Sequence, residues 1–183
     1  MNQKFNILFD YSIFFHQSVG GISRYITSLH AKLFNNGFDT EILSPIHQNK
    51  FLKEINTCKI NKFVSYFPKN TLTICRTYNE LITNIYVKFK KPKILHKTFY
   101  SGSFPLDNKI KKVINVYDLI HEKFYSDYNL NINTLPKKKY LNNVDLIFCP
   151  SQCSKKDLIE IYNINPSKIE VVNIGIPELK IDK

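Results

Sequence analysis

The fold is decided by Phe5-Asn6-Ile7-Leu8-Phe9, a short apolar run, and by Gly20-Gly21-Ile22-Ser23-Arg24-Tyr25, which opens a helical pattern. The run is typical of a buried strand, and a strand that leads into a glycine pair at a helix N-terminus commonly receives an anionic group. The first N–H groups of such a helix have no intrahelical partner, and the macrodipole places partial positive charge there. We therefore predict that Gly20 and Gly21 contact an anion and that Arg24 adds a permanent charge. The alternative is that the two glycines only shape a turn and contact no anion.

Strand-like and helix-like segments alternate along the rest of the chain. This predicts a Rossmann-like α/β fold, in which helices flank both faces of a parallel sheet. Helical spacing predicts a helix at 21–36, a second that ends before Pro92, and a third that is capped by Ser151 or Ser154 and runs through Tyr162. The stretch 47–67 is ambiguous, with a short helix and a short strand expected. Apolar runs predict further strands at 38–43, 94–96, 113–116, 145–149 and 169–172.

The composition is that of a globular chain: of 183 residues, 43% are hydrophobic and 14% aromatic. This is enough for one sizeable core, and no apolar run approaches the roughly 20 residues that span a bilayer. The N-terminus leads straight into the first strand, so we expect no signal peptide and a cytoplasmic protein. Neither CxxC spacing nor clustered histidines accompany the cysteines, which predicts buried or half-buried free thiols and no metal or other cofactor. The cysteines are Cys58, Cys75, Cys149 and Cys153.

The formal net charge is +11, which suits nucleic acid or an anionic membrane as a partner. The lysines are scattered in pairs and triplets such as Lys137-Lys138-Lys139, which are typical of solvated faces. No nucleic-acid motif accompanies them, so we expect no nucleic-acid partner. The helix before Pro92 carries apolar residues at helical spacing from Tyr78 to Phe89 and ends in lysines. Core packing of that apolar stripe is the expectation, and a peripheral contact with the inner membrane face is the alternative.

Polar residues follow several of the predicted strands. In an open parallel sheet, ligands bind outside the carboxyl ends of the strands, so these residues should converge on one edge. A site of this kind needs no contiguous motif. The residues are Asp10, Gly20, Gly21, His96 to Tyr100, Tyr117 to His121, and Pro150-Ser151.

Several segments, in this order and spacing, together resemble the N-terminal domain of glycosyltransferase family 4, which has the two-domain GT-B fold. The resemblance covers nearly the whole chain and is weakest between His47 and Lys93. It implies sugar transfer from a nucleotide-sugar donor to a glycan or lipid-linked acceptor, with retention at the anomeric carbon. The segments are Phe9-Asp10, Gly20 to Tyr25, Val116 to Glu122, Asp145 to Ser151, Ser154 to Leu158 and Lys168 to Ile176.

The resemblance also implies roles for individual residues. Gly20 and Gly21 would contact the donor diphosphate, and Arg24 would contact an anion or the acceptor, with a surface salt bridge as the alternative. The family commonly has a His-Asp pair at the end of the strand leading to Asp118, where this chain has Tyr117. Tyr117 can donate a hydrogen bond but cannot titrate near neutrality. The implied catalytic set is Asp118, His121 and Tyr117, with a helix cap as the alternative for Asp118 and a structural role as the alternative for His121.

Asp10, His96 and Ser151 are the candidates for the acceptor side of the site. Residues 1–175 are expected to form the acceptor-side domain, and residues 176–183 the beginning of an interdomain linker. The family's nucleotide-binding second domain has no counterpart in the sequence, and half of the groups that stabilise the leaving diphosphate would be missing. We therefore expect either a half-enzyme completed by a separate donor-binding domain or chain, or a non-catalytic remnant that binds a glycan or a partner protein.

Overall fold

The computed structural model describes residues 6–55, 58–105, 107–124 and 135–175. A seven-stranded sheet forms the centre of the protein, and all of its paired strands are parallel. Its spatial order is β4-β2-β1-β6-β7-β8-β9, while β3 and β5 form a separate parallel pair. The strands are β1 (Asn6–Phe9), β2 (Asp39–Leu43), β3 (Ile46–His47), β4 (Cys58–Lys59), β5 (Lys62–Phe63), β6 (Ile94–Lys97), β7 (Lys111–Asn115), β8 (Leu146–Cys149) and β9 (Ile169–Val171).

Six α-helices and two short 3₁₀ turns connect the strands in the described part of the chain. The predicted Rossmann-like architecture is thereby confirmed. The 3₁₀ turns are Phe51–Glu54 and Pro166–Lys168. The helices are α1 (Ser12–His16), α2 (Gly21–Asn35), α3 (Leu72–Lys90), α4 (Ile120–Lys123), α5 (Leu135–Asn142) and α6 (Gln152–Tyr162).

Successive side chains of β1 point to opposite faces of the sheet, as the period of a strand requires. Phe9 packs in a cluster with Ile26 of α2, and Leu8 packs in another with Val87 of α3. Helices α2 and α3 therefore cover opposite faces. A third cluster, around Ile114 and Leu158, packs α6 against β7 and β8. The buried core is thus divided between the two faces of the sheet.

The predicted strands are confirmed, with ends that differ by a few residues. Two helices were not predicted: α1, which lies in the loop after β1, and α5, where Pro136 pointed to a loop. Pro136 is the second residue of α5, and proline is tolerated in the first turn because that N–H has no intrahelical partner. The predicted strand start at Phe5 and the predicted linker 176–183 lie outside the described residues.

The prediction that the apolar stripe of α3 packs in the core is wrong. Tyr78, Leu81, Ile85 and Phe89 are exposed, and the face turned toward the sheet carries Asn79 instead. The Asn79 amide accepts from the Ile46 N–H at 2.8 Å and donates to the Ile46 carbonyl at 2.9 Å. A buried amide that satisfies both backbone groups of a β3 residue is stable there, and this orients the apolar stripe outward.

Ser151, rather than Ser154, is the N-cap of α6. Its Oγ accepts from the Ser154 N–H at 3.1 Å. The carboxylate of Asp157, three residues after Ser154, pairs with Lys123 at 2.7 Å.

Replacing Ser151 with alanine is expected to lower the free energy of unfolding by about 1 kcal/mol, because one N–H of the first turn loses its acceptor. Ser154→Ala is the matched control, since it removes the hydroxyl that lies 3.1 Å from Ser151 Oγ and keeps the backbone N–H from which the cap accepts. Urea unfolding of both variants checks this, and equal losses would contradict the assignment of the cap.

Candidate functional site

The residues that follow the strands line one edge of the sheet, which we call the rim. The N-terminus of α2 lies at the same edge, because α2 runs antiparallel to the two parallel strands β1 and β2 that it connects. The rim therefore brings together the loops after β1, β6, β7 and β8 and the glycine pair of α2.

Asp10 is the fully buried centre of a polar network at the rim. One carboxylate oxygen accepts from the Thr98 N–H at 2.7 Å and from the Thr98 hydroxyl at 2.8 Å. The other accepts from the Ser12 hydroxyl at 2.5 Å and lies 3.2 Å from the Lys97 ammonium. Lys97 is also buried, and its ammonium donates to the Ser101 carbonyl at 2.8 Å. The network joins the loop after β1 to β6 and the loop that follows it. A role for Asp10 toward an acceptor stays a prediction.

His96 lies within β6, one residue before its end, and not after the strand as predicted. Its ring stacks on Phe9 with centroids 4.9 Å apart, and Nε2 lies 2.6 Å from Asn115 Oδ1. Burial lowers the pKa of His96 to about 4, against the opposing effects of the Asn115 hydrogen bond and the Asp10 charge. The imidazole is therefore neutral at physiological pH, and Nε2 donates to Asn115 as a satisfied core histidine would. A contact with an acceptor stays a prediction.

The glycine pair begins α2 as the sequence predicts. Gly20 is the N-cap, with extended backbone, and Gly21 is the exposed first residue of the helix. The first turn holds no acidic residue, and the Ser23 N–H is capped by the Gln17 side chain at 3.4 Å. A Cβ added at Gly21 would meet no heavy atom within 4 Å, so open space lies beside this backbone. Arg24 is exposed on the same turn, so the positive end of α2 and a permanent cation face solvent together.

Tyr117 connects the glycine turn to the loop after β7. Its ring meets Tyr25 of α2 edge-on, with centroids 6.0 Å apart. Its hydroxyl is buried without a hydrogen-bond partner among the described residues, and burial raises its pKa far above the ordinary value. Tyr117 is therefore a neutral donor at any physiological pH.

Asp118 and His121 are exposed beside Tyr117. Asp118 Oδ1 accepts from the Ile120 N–H at 3.3 Å, which places the carboxylate beside the first residue of α4, but the N-cap itself is Leu119. His121 lies on α4 itself. The ring contact of Tyr25 with Tyr117 places the loop after β7 beside the first turns of α2.

A charged cluster beneath this segment was missed by the sequence analysis. Glu122 Oε1 accepts from Lys137 at 2.7 Å and from the Tyr162 hydroxyl at 2.8 Å. Burial acts to raise the pKa of Glu122, but these two hydrogen bonds and the Lys137 charge outweigh it and lower that pKa. Lys137 also lies 4.8 Å from the centre of the Tyr100 ring and donates to the Asp118 carbonyl at 3.4 Å. Lys137 is thus not the solvated lysine that the triplet suggested, and only the folded structure shows its partners.

Ser151 lies at the carboxyl end of β8, where its hydroxyl caps α6. The thiols fit the expectation in part, because Cys149 is buried and Cys75 half-buried while Cys153 is exposed.

Among the described residues, no cluster of three or more metal-ligating side chains is present. Within the same part of the chain, no helix combines the length and apolar character needed to cross a membrane.

The sequence profile of Glycosyltransferase Family 4 matches residues 19–178. The match includes the glycine turn, and it includes the Tyr117 loop with the strands on either side of that loop, while β1 lies before it. The chain belongs to glycosyltransferase family 4. A search of curated proteins finds no significant match.

Solved structures share the fold. A glycosyltransferase from Rickettsia africae ESF-5 superposes with a TM-score of 0.58 at 18% identity, over 95% of this chain and 44% of its own. Sucrose-phosphate synthase from Thermosynechococcus elongatus gives a TM-score of 0.63 at 11% identity, over 95% of this chain and 49% of its own. The apo form of the lipopolysaccharide outer core galactosyltransferase WaaB gives a TM-score of 0.59 at 15% identity, over 99% of this chain and 50% of its own. The chain thus spans about half the length of these structures.

Proposed function

We propose that this domain is the acceptor-side half of a retaining glycosyltransferase, which moves a sugar from a nucleotide-sugar donor to a glycan or lipid-linked acceptor. The observation that carries the proposal is the cationic N-terminus of α2 at the rim, where the backbone of Gly21 has open space beside it, within the family match that begins at residue 19. An exposed helix N-terminus with a glycine backbone suits a diphosphate, and nucleotide sugars contain one.

The glycine turn and the loop after β7 supply the residues of this proposal. The backbone of Gly20 and Gly21 and the guanidinium of Arg24 hold the donor diphosphate as it leaves. Asp118 and His121, exposed at the same end of the rim, contact the acceptor hydroxyl that attacks the anomeric carbon. Tyr117 supplies a fixed hydrogen-bond donor without changing charge. Attack and departure take place on one face of the sugar, with no protein nucleophile and no metal.

A second domain or chain would complete the donor site. The rim provides one wall for a nucleotide sugar, and the matched structures are about twice as long as this chain. Stabilisation of the leaving diphosphate is largely electrostatic. Sugar transfer by this domain alone should therefore be slower by several powers of ten than transfer by the completed site.

The test of the proposal measures sugar transfer from UDP-glucose, UDP-N-acetylglucosamine and GDP-mannose, with and without the product of the adjacent coding region. Turnover that requires both polypeptides supports a half-enzyme. If neither turnover nor donor binding appears in any combination, sugar transfer is contradicted and the non-catalytic binding role takes its place.

Gly21→Val is expected to weaken donor binding about tenfold or more, because a branched side chain fills the space through which the diphosphate reaches the backbone. The fold should persist, since the added Cβ meets nothing within 4 Å. Calorimetric titration with UDP and with inorganic pyrophosphate measures the change, and Gly21→Ala is the smaller matched variant. Unchanged affinity in a folded Gly21→Val protein would remove the diphosphate role of this turn.

A further inference from the structure

Helix α3 presents an apolar stripe to solvent along its whole length. Ile74 is 69% exposed, Leu81 56% and Phe89 80%, and Tyr78 and Ile85 lie between them at helical spacing. The opposite side of the helix, with Asn79, Thr83 and Val87, is buried against the domain. This inverts the usual arrangement, in which the apolar side of a surface helix faces the core. An uninterrupted apolar stripe of this length indicates an interaction surface.

The apolar surface extends beyond the stripe. Ile60 and Tyr66 are exposed in the segment that precedes α3. A groove of about 310 Å³ lies beside the C-terminal half of the helix, lined by Ile60, Ile82, Ile85, Tyr86, Phe89 and Lys90.

The charges around this surface are mainly positive, and the carboxylate at its edge is Glu41, which pairs with Lys90 at 3.9 Å and accepts from the Tyr86 hydroxyl at 2.5 Å. Between residues 60 and 91 the sequence has six lysines and arginines and a single acid, Glu80. The Glu80 carboxylate points away from the stripe, since it accepts from Tyr11 and from Ser103 of the rim loops. The cations Lys62, Lys69, Arg76, Lys88 and Lys91 are all exposed.

We propose that α3 is an interfacial helix that seats this protein on an anionic lipid bilayer. An apolar stripe bordered by lysines is the pattern that lies in the plane of a membrane surface, with the apolar side chains about 5–10 Å deep. Each basic residue near an anionic leaflet adds to the attraction. A second copy of this chain fits the same face poorly, because association would bring two cationic borders together.

The proposed membrane contact is supported by the exposed apolar stripe of α3 and by the cations beside it, and it does not depend on sugar transfer. Glu80 ties the middle of α3 to the loops after β1 and β6, so the bilayer would lie beside the rim. If the proposed function also holds, this placement selects the lipid-linked acceptor over a soluble glycan.

The chain contains no tryptophan, so a single introduced indole reports its own environment. In Phe89→Trp, emission should shift to shorter wavelength on addition of vesicles of phosphatidylcholine and phosphatidylglycerol, and brominated phosphatidylcholine in those vesicles should quench it. Phe34→Trp is the matched control, because Phe34 is an exposed aromatic residue on α2, across the sheet, and should show neither effect.

Sedimentation with the same vesicles measures the affinity. The double variant Ile85→Ser, Phe89→Ser should bind at least about tenfold more weakly, and Phe34→Ser should bind as the parent does. Binding should also fall with added salt and with pure phosphatidylcholine. The proposal is overturned if Phe89→Trp is neither shifted nor quenched by the anionic vesicles. It is equally overturned if the emission is already shifted without lipid in a concentration-dependent dimer.

Discussion

Replacing Asp10 with alanine is expected to lower the free energy of unfolding by about 3–5 kcal/mol. The Lys97 ammonium would remain buried 2.8 Å from the Ser101 carbonyl without its counter-ion. The Thr98 N–H and the Ser12 hydroxyl would lose their acceptor as well. An uncompensated buried charge costs far more than the net contribution of the intact pair, and this makes the expected loss large. Urea unfolding, followed by circular dichroism, measures it.

A double-mutant cycle separates the charge from the hydrogen bonds. Lys97→Met alone leaves the Asp10 carboxylate buried without a cation, and it should also be strongly destabilising. Asp10→Asn combined with Lys97→Met removes both charges, and its loss should be smaller than the sum of the losses of Asp10→Asn and Lys97→Met made singly. Strictly additive losses would show that the pair does not interact across the 3.2 Å that separates the Asp10 and Lys97 side chains.

Acidification from pH 7.5 to pH 4 is expected to remove about 3 kcal/mol of stability through His96 alone. Burial lowers the pKa of this imidazole from its ordinary value of 6.5 to about 4. Between these values the unfolded chain binds a proton that the folded chain does not, so stability falls as the pH falls. The contribution is complete above pH 6.5 and is lost progressively toward pH 4. Urea midpoints across this range measure the slope.

His96→Gln isolates this contribution, because glutamine keeps an N–H donor for Asn115 and does not titrate. The parent should be the more stable protein at pH 7.5, and its advantage should shrink as the pH approaches 4. A residual slope is expected in the variant, since burial also lowers the pKa of His30 and of His47. His121→Gln, which replaces an exposed histidine on α4, is measured beside it as the control. A parallel pH dependence in parent and His96→Gln would refute the role of His96.

Local patterns predicted the sheet well. The apolar runs that became β1, β2, β7 and β8 are short and bounded by polar or turn residues, so few alternatives compete with a strand. Gly37 follows α2 with φ at +85°, and the sequence predicted the end of the helix there because glycine enters the left-handed region at little cost. The helix α1 was missed because its Ser12–His16 segment is five residues long, too short for a periodic signal.

The rim was predicted as a place but not as a set of contacts. Parallel topology alone brings Asp10, the glycine pair and the Tyr117 loop to one edge of the sheet. The sequence carried no sign that Lys97 would be the buried partner of Asp10, or that Lys137 would pair with Glu122. These ion pairs join residues 87 and 15 positions apart, and no local periodicity relates such positions.

By itself, the sequence determined the fold class, the glycine turn at the start of α2 and the family, because each depends on patterns within a few dozen residues. The tertiary structure decided which groups are buried and which side of each helix faces the core. Helix α3 shows why: its strong apolar stripe predicts burial, but the Asn79 amide satisfies the backbone of Ile46 and turns that stripe to solvent. Hydrogen-bond satisfaction in the interior is a property of the assembled chain, so only the folded structure could reveal it.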